Sequence, residues 1–260
     1  MASAATVCTV AGGANVNCYT LSCCAHACGT HTETAAHVAR AGRPTLMALD
    51  AAEPIGAPCA AAVLALRAVP LRESGDAESQ PGECKADAAD RVYSAEAARQ
   101  AAARAAGALA ALAGVLPGRA AEAMRSCGAV MLRTQAEPGG YATDYSGSNP
   151  PYLTQACVRT LRELFPAARH LVTELPSVDR EDDGGPLAAH REWFGLPARS
   201  TGPTAEQEER AGTEAGRTIT EMAKLSACEE GVCVLALQVA PVDMDAAPSA
   251  PMVWKVEAVA

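Results

Sequence analysis

The chain has 260 residues, with 30 acidic and 21 basic side chains, a formal net charge of −9 and only 3% aromatic residues. This acidic balance argues against nucleic acid as a partner, because phosphate recognition needs a basic face. No membrane span is expected, because no run of 18 apolar residues escapes charge or proline. The first 21 residues lack Lys and Arg and the eleven cysteines are an odd number, which predicts a cytoplasmic protein with reduced thiols.

The first half of the chain predicts short strands and one long helix. Apolar runs between turn residues predict strands at residues 5–10, 17–24 and 60–71, and either a strand or a helical turn at 44–49. Residues 73–89 are polar and predict a loop. Ser94 is a suitable N-cap for a helix that ends near Leu116, before Pro117 and Gly118.

The second half predicts further alternation of strands and helices. Strands are predicted at residues 128–133, 170–174, 232–241 and 252–259, a helix at 154–165 and a loop at 141–151. Residues 201–217 are polar and acidic, which predicts an insertion or a mobile flap. Strands and helices alternate without an internal repeat, so the prediction is one α/β domain over residues 1–260, with a mixed sheet flanked by helices.

Residues 26–37 concentrate the side chains that bind metal ions. The segment holds three of the five histidines, His26, His31 and His37, and the carboxylate of Glu33. On an extended strand, His31 and Glu33 would face the same side because they are two residues apart. Imidazole and carboxylate are ligands for a divalent ion such as Zn²⁺ or Mn²⁺. The spacing therefore predicts a metal site.

A thiolate site is the competing hypothesis for the same segment. Cys23, Cys24 and Cys28 surround His26 and offer the ligands of a structural zinc knuckle. The cysteines lack the Cys-x2-Cys spacing and a second pair at the usual separation. The histidine-carboxylate set is therefore the preferred interpretation.

The motif resembles that of the metal-dependent cyclase and kynurenine formamidase-like hydrolases, whose pattern is H-x-G-T-H-x-D-x-P-x-H. Residues 29–33 match G-T-H-x-D with Glu33 in place of Asp, and His37 matches the final His. Three departures stand out: His26 lies five residues before His31 instead of four, Glu33 is longer than Asp, and Ala35 replaces Pro. Further similar segments follow in the family's order at residues 128–134, 149–153, 176–179, 187–190 and 219–221.

The resemblance implies a ligand set and a fold. It assigns His26, His31, Glu33, His190 and Glu221 to one or two ions per chain, Zn²⁺ or Mn²⁺, and makes His37 the residue that transfers protons. It implies a compact α/β domain of the swivelling β/β/α type, in a homodimer or higher homo-oligomer. Ser177 and Asp179 are interpreted as supporting residues, and His170 as structural.

The expected activity is hydrolysis of a small amide, formamide or lactam-type substrate, similar to the arylformamidase reaction of tryptophan catabolism. Metal-activated water and a histidine near its ordinary pKa suit this reaction. The alternative is a family member that binds metal without catalysis and serves as a binding or scaffold protein. Retention of all five expected ligands together with His37 favours the enzyme.

Overall fold

Strands and helices alternate along most of the described chain. The structure is a computed structural model that describes residues 3–40, 42–76, 86–134, 145–211 and 216–257. Its strands are β1 (Ser3–Cys8), β2 (Cys18–Ser22), β3 (His31–Thr34), β4 (Cys59–Leu66), β5 (Val69–Pro70), β6 (Arg91–Tyr93), β7 (Ala129–Thr134), β8 (Tyr152–Leu153), β9 (His170–Thr173), β10 (Thr218–Glu221), β11 (Gly231–Val239) and β12 (Ala246–Lys255). Its α-helices are α1 (Leu46–Ala52), α2 (Ala95–Ala113), α3 (Pro117–Met124), α4 (Gln155–Leu164), α5 (Ala188–Trp193) and α6 (Ala205–Ala211).

Seven of these described strands close into a barrel, in the order β10-β3-β12-β11-β4-β7-β9. The neighbours β4, β7, β9 and β10 run parallel, whereas β3, β12 and β11 pair antiparallel with their neighbours. The prediction of a single α/β domain with a mixed sheet is confirmed. Closure of that sheet was not predicted, because strand period alone carries no information on which strands meet last.

The barrel strands contribute to three apolar clusters. Leu237 and Ala247 belong to one of them, and the other two take up side chains from opposite faces of the strands, because successive side chains point to opposite faces. Val63, Met131 and Val172 belong to a smaller core cluster together with Leu235 of β11. The alternate residues, such as Leu64, join a larger cluster with side chains of α2, α4 and α5. One face of the barrel strands therefore packs against helices.

Helix α2 begins as predicted but ends earlier. The Ser94 side chain accepts a hydrogen bond from the Ala97 N–H, and the helix terminates at Gly114, whose φ is +64°. Pro117 then opens α3 instead of closing α2, in agreement with the preference of proline for the first helical turn, where its missing N–H costs nothing. No single helix of the described chain is long and apolar enough to cross a membrane; only α2 and α3 taken together, bent by 111°, satisfy the length and composition criteria.

The other predicted elements agree with the structure to different extents. The strands β1, β2, β7, β9 and β11 and the helix α4 lie where the sequence predicts them, and residues 44–49 lead into α1. The single strand predicted at 60–71 is instead divided into β4, which ends at Leu66, and β5. Strand β10 was not predicted, and β12 begins at Ala246, six residues before the predicted start. Parts of the predicted loops 73–89 and 141–151, of segment 201–217 and of the strand 252–259 lie outside the described residues.

The described part of segment 201–217 is ordered around one buried carboxylate. It contains α6, whose Glu208 is only 1% exposed. The Glu208 carboxylate is 2.6 Å from the guanidinium of Arg191, which is equally buried, and accepts a hydrogen bond from the Arg40 N–H. The acidic segment 201–217 therefore contributes one member of a buried ion pair, which its composition alone could not indicate.

Candidate metal centre

The centre is built on the antiparallel pair β3 and β10. His31 and Glu33 both belong to β3, and the pairing register sets Glu221 of β10 opposite His31 and Ile219 opposite Glu33. Paired residues share a face of the sheet, so the three polar side chains lie on one side. His31 Nε2 is 3.5 Å from Glu221 Oε2. The predicted strand geometry of His31 and Glu33 is confirmed.

Two short 3-10 turns, residues 25–27 and 35–37, bring in a histidine from each side of β3. His26 Nδ1 lies 3.4 Å and His37 Nε2 lies 3.7 Å from the same oxygen of Glu33, Oε2. The centroids of the two imidazole rings are 4.1 Å apart. Each ring is about 30% exposed, so this side of the centre opens towards solvent.

His190, in α5, closes the buried side of the centre. Its Nε2 lies 2.7 Å from Glu33 Oε1 and 3.6 Å from Glu221 Oε1. Its Nδ1 lies 2.6 Å from Asp179, whose carboxylate also accepts hydrogen bonds from the backbone N–H groups of Ala189 and His190. Asp179 therefore fixes both the start of α5 and the ring of His190, which agrees with its interpretation as a supporting residue.

Asp245 is the site residue that sequence reasoning missed. It immediately precedes β12, and its Oδ2 lies 3.1 Å from both His26 Nε2 and His37 Nδ1. Nothing in the local sequence separates it from Asp243, which is two residues away and accepts a hydrogen bond from Thr45. Only the pairing of β12 with β3 places Asp245 beside the motif.

The structure brings together all six site residues that the sequence analysis predicted: His26, His31, Glu33, His37, His190 and Glu221. Within the described chain, two groups of side chains are close enough to hold an ion: His26, Glu33 and His37, and His31, Glu33 and Glu221. Glu33 belongs to both groups, so it is placed to contact either ion or to bridge two. Neither group contains a cysteine, in contrast to the thiolate hypothesis.

The donor atoms at the centre fit a cation. Among the described residues, His31 Nε2, His190 Nε2 and both carboxylate oxygens of Glu33 are buried and make no hydrogen bond of acceptable geometry, although His190 Nε2 lies 2.7 Å from Glu33 Oε1. Buried polar atoms are rarely left in this state, since each carries a desolvation cost that a bonded partner or an ion must offset. Four such atoms gathered on and around Glu33 are imidazole and carboxylate donors of the kind that a divalent cation binds.

The electrostatics agree with this interpretation. Glu33 is fully buried, which opposes its ionisation, yet His190 and the other neighbouring histidines hold its pKa well below the usual range. Glu33 and, to a smaller extent, Asp245 raise the pKa of His26 to about 9 against the opposing effect of burial. Burial also opposes protonation of His190, but Glu33 and Asp179 raise its pKa well above the ordinary value. The site thus holds excess negative charge that protons or a metal ion can balance.

Comparison with known proteins finds similarity only to solved structures, and this similarity supports the fold. No protein-family model matches the sequence, and no curated protein matches it significantly. Solved structures do match: isatin hydrolase A from Labrenzia aggregata, bound to benzyl benzoate, has a TM-score of 0.57 at 15% identity, with 97% of this chain and 82% of that chain covered. Isatin hydrolase A from Ralstonia solanacearum has a TM-score of 0.53 at 13% identity, covering 97% and 81%. A predicted metal-dependent hydrolase from Bacillus stearothermophilus has a TM-score of 0.50 at 13% identity, covering 97% and 86%.

The chain therefore has the α/β fold of solved hydrolases that include proteins described as metal-dependent. The fold alone does not define an activity. The functional argument comes from the cluster of His and Glu side chains that this fold assembles.

Proposed function

We propose that the protein is a metal-dependent hydrolase that cleaves the C–N bond of a small amide, formamide or lactam-type substrate. The observation that carries the proposal is a group of four buried donor atoms, on His31, Glu33 and His190, that make no hydrogen bond of acceptable geometry within the described chain. The ligands are His26, His31, Glu33, His190 and Glu221, and the ion is Zn²⁺ or Mn²⁺ with one or two ions per chain. When bound, such an ion lowers the pKa of a water molecule and polarises a carbonyl group.

The surrounding residues hold the ligands in orientation. His31 Nδ1 donates to the Gly29 carbonyl oxygen at 2.9 Å, and His190 Nδ1 donates to Asp179. Both bonds leave the Nε2 lone pair of the ring directed at the centre, because a neutral imidazole carries one N–H and one acceptor nitrogen. Glu221 is held by the Val178 N–H, which donates to its Oε1 at 2.8 Å.

His37 is the proposed proton carrier. Its Nε2 lies beside Glu33, and its ring is 29% exposed at the open side of the centre. From this position it is able to take a proton from the attacking water and deliver one to the departing nitrogen. Protonation of that nitrogen is what makes an amine a competent leaving group, so this residue should affect rate more than binding.

Two observations support the substrate class. The resemblance of the motif implies an arylformamidase-like reaction, in which a formamide is hydrolysed. Three of the structural neighbours are named isatin hydrolases, and isatin contains a lactam. Both reactions hydrolyse an acyl C–N bond next to an aromatic ring, so we propose N-formyl arylamines and aryl-fused lactams as the substrates to test first.

A homodimer or higher homo-oligomer remains our prediction for the assembly, to be checked by light scattering.

The test removes metal with a chelator and restores Zn²⁺ or Mn²⁺ before assaying N-formyl arylamines, isatin and cyclic imides. We expect one to two equivalents of metal per chain and hydrolysis that returns only with metal. His31→Gln should lose both properties, whereas His170→Gln, a histidine outside the centre, should keep both. Bound metal with no hydrolysis of any member of the panel would favour the alternative of a metal-binding scaffold. Full hydrolysis by chelated protein would overturn the proposal.

A further inference from the structure

Asp245 links two histidines that have different proposed roles. Its Oδ2 lies 3.1 Å from His26 Nε2 and 3.1 Å from His37 Nδ1. An ionised carboxylate only accepts hydrogen bonds, so each ring donates an N–H to Asp245, and a cation bound beside Glu33 would keep the ring nitrogens that face it free of protons. The remaining nitrogens, His26 Nδ1 and His37 Nε2, are the ones that face Glu33 Oε2, at 3.4 and 3.7 Å.

We propose that Asp245 is a positioning residue that sets the tautomers of His26 and His37 together, directing one lone pair of each ring at the metal centre. This inference rests on the proposed function. For His26, an N–H donated from Nε2 leaves Nδ1 as the ligand atom. For His37, an N–H donated from Nδ1 leaves Nε2 to accept and return the reaction's proton. The single carboxylate of Asp245 thus orients both a metal ligand, His26, and the proposed proton carrier, His37.

The backbone around Asp245 is held firmly enough for this role. Its carbonyl oxygen accepts from the Thr34 N–H at 2.9 Å, and the following residue, Ala246, pairs with Glu33 in the β12–β3 register. The Leu46 N–H donates to the carbonyl of Met244 at 2.9 Å. Asp245 therefore stands on the same strand pair that carries the motif, and its position relative to His26 and His37 follows from the barrel.

The side chain itself is not a structural anchor. It is 35% exposed, so its replacement removes little buried contact. Its polar contacts with the two rings run through one oxygen, which makes orientation of those rings its main task.

The experiment compares Asp245→Ala and Asp245→Asn with Asp243→Asn, a matched control in the same loop. Zn²⁺-loaded protein with ¹⁵N-labelled histidine is examined by long-range ¹H–¹⁵N correlation spectra, which report which ring nitrogen carries the proton. His26→Gln and His37→Gln assign the two rings. Metal affinity is measured by competition with a chelator, and kcat and KM with the substrate found for the wild-type protein.

We expect wild-type spectra with His37 protonated at Nδ1 and His26 protonated at Nε2. Asp245→Ala should move the His37 proton to Nε2 and weaken metal binding ~10–100-fold, as loss of a carboxylate that orients a metal-bound histidine does. Asp245→Asn, which retains one accepting oxygen, should lie between, and Asp243→Asn should match the wild-type protein. Asp245→Ala should lower kcat with little change in KM and cause no further loss of kcat in the His37→Gln background.

The spectra and the metal competition need no substrate, so they decide the inference even if no panel member is hydrolysed. Unchanged tautomers in Asp245→Ala would overturn it, whatever the activity. So would losses of kcat that simply multiply in the double variant, because these would show Asp245 acting independently of His37. Complete loss of metal in Asp245→Asn together with normal tautomers would make Asp245 a metal ligand instead.

Discussion

Glu208 forms a buried ion pair between the described part of the polar segment 201–217 and the rest of the domain. The perturbation we consider is Glu208→Ala. Arg191 lies in the adjacent α5 with 1% of its surface exposed, and it donates to Glu208 Oε1 at 2.6 Å, to the Pro197 carbonyl at 2.6 Å and to the Val38 carbonyl at 3.1 Å. Removing the carboxylate leaves a buried guanidinium with two neutral acceptors and no countercharge.

The cost follows from that residual charge. Removing one partner of a buried ion pair usually destabilises a protein by about 3–5 kcal/mol. Because the two carbonyl groups still accept from Arg191, we expect the lower end, about 3 kcal/mol, which for a chain of this size lowers Tm by ~6 °C. Replacing both members, Arg191→Met with Glu208→Leu, should recover most of the loss, since no charge then remains buried.

Urea denaturation followed by circular dichroism measures these differences. Glu206→Ala is the matched control, since Glu206 lies in the same helix, is 80% exposed and pairs, among the described residues, with the equally exposed Arg210 at 3.8 Å. That control should change stability by less than ~0.5 kcal/mol. Equal, small effects of Glu208→Ala and Glu206→Ala would refute the reasoning, and would favour the mobile flap that the composition predicts. Activity measurements on Glu208→Ala would then show whether the segment influences substrate entry.

Further predictions concern the centre and a buried histidine. His31→Ala should remove most of the bound metal; unchanged metal there, with loss on replacing Cys23 and Cys28 by Ser, would establish the thiolate site instead. His37→Ala should keep its metal and lose ~10²–10⁴-fold in kcat, and loss of metal would make His37 a ligand. Burial lowers the pKa of His170 to about 4, so the unfolded chain binds a proton between pH 4 and 6.5 that the folded chain does not, and stability falls as pH falls. From about pH 7.5 to 5, urea denaturation should show the wild-type protein losing about 2 kcal/mol more than His170→Gln, and equal losses would contradict the shift.

Local signals in the sequence were sufficient for most elements and for part of the centre. Ser94 caps its helix as expected, because capping depends on residues within three positions. The period of a strand was enough to place His31 and Glu33 on one face. The end of the helix after Ser94 was predicted less well, because a proline such as Pro117 both follows one helix and begins the next.

Other site residues could be named only through resemblance. His190 and Glu221 lie far along the chain from the motif, and no local pattern distinguishes them from other polar residues. Their segments resemble those of a known hydrolase family, and the structure brings both side chains to Glu33. The identity of the substrate is not contained in these residues, because the same ligand set serves several C–N hydrolyses.

The sequence by itself determined the class of fold, the cluster of metal-binding side chains in residues 26–37 and the positions of most strands. The tertiary structure decided which distant groups join that cluster, since barrel closure pairs β3 with both β10 and β12. Those two pairings place Glu221 and Asp245 beside the motif, and no feature of the local sequence predicts this position for Asp245. The tertiary structure also buries four donor atoms of the centre without well-formed hydrogen bonds, a property of packing that no linear pattern records, because burial depends on contacts between residues distant in the chain.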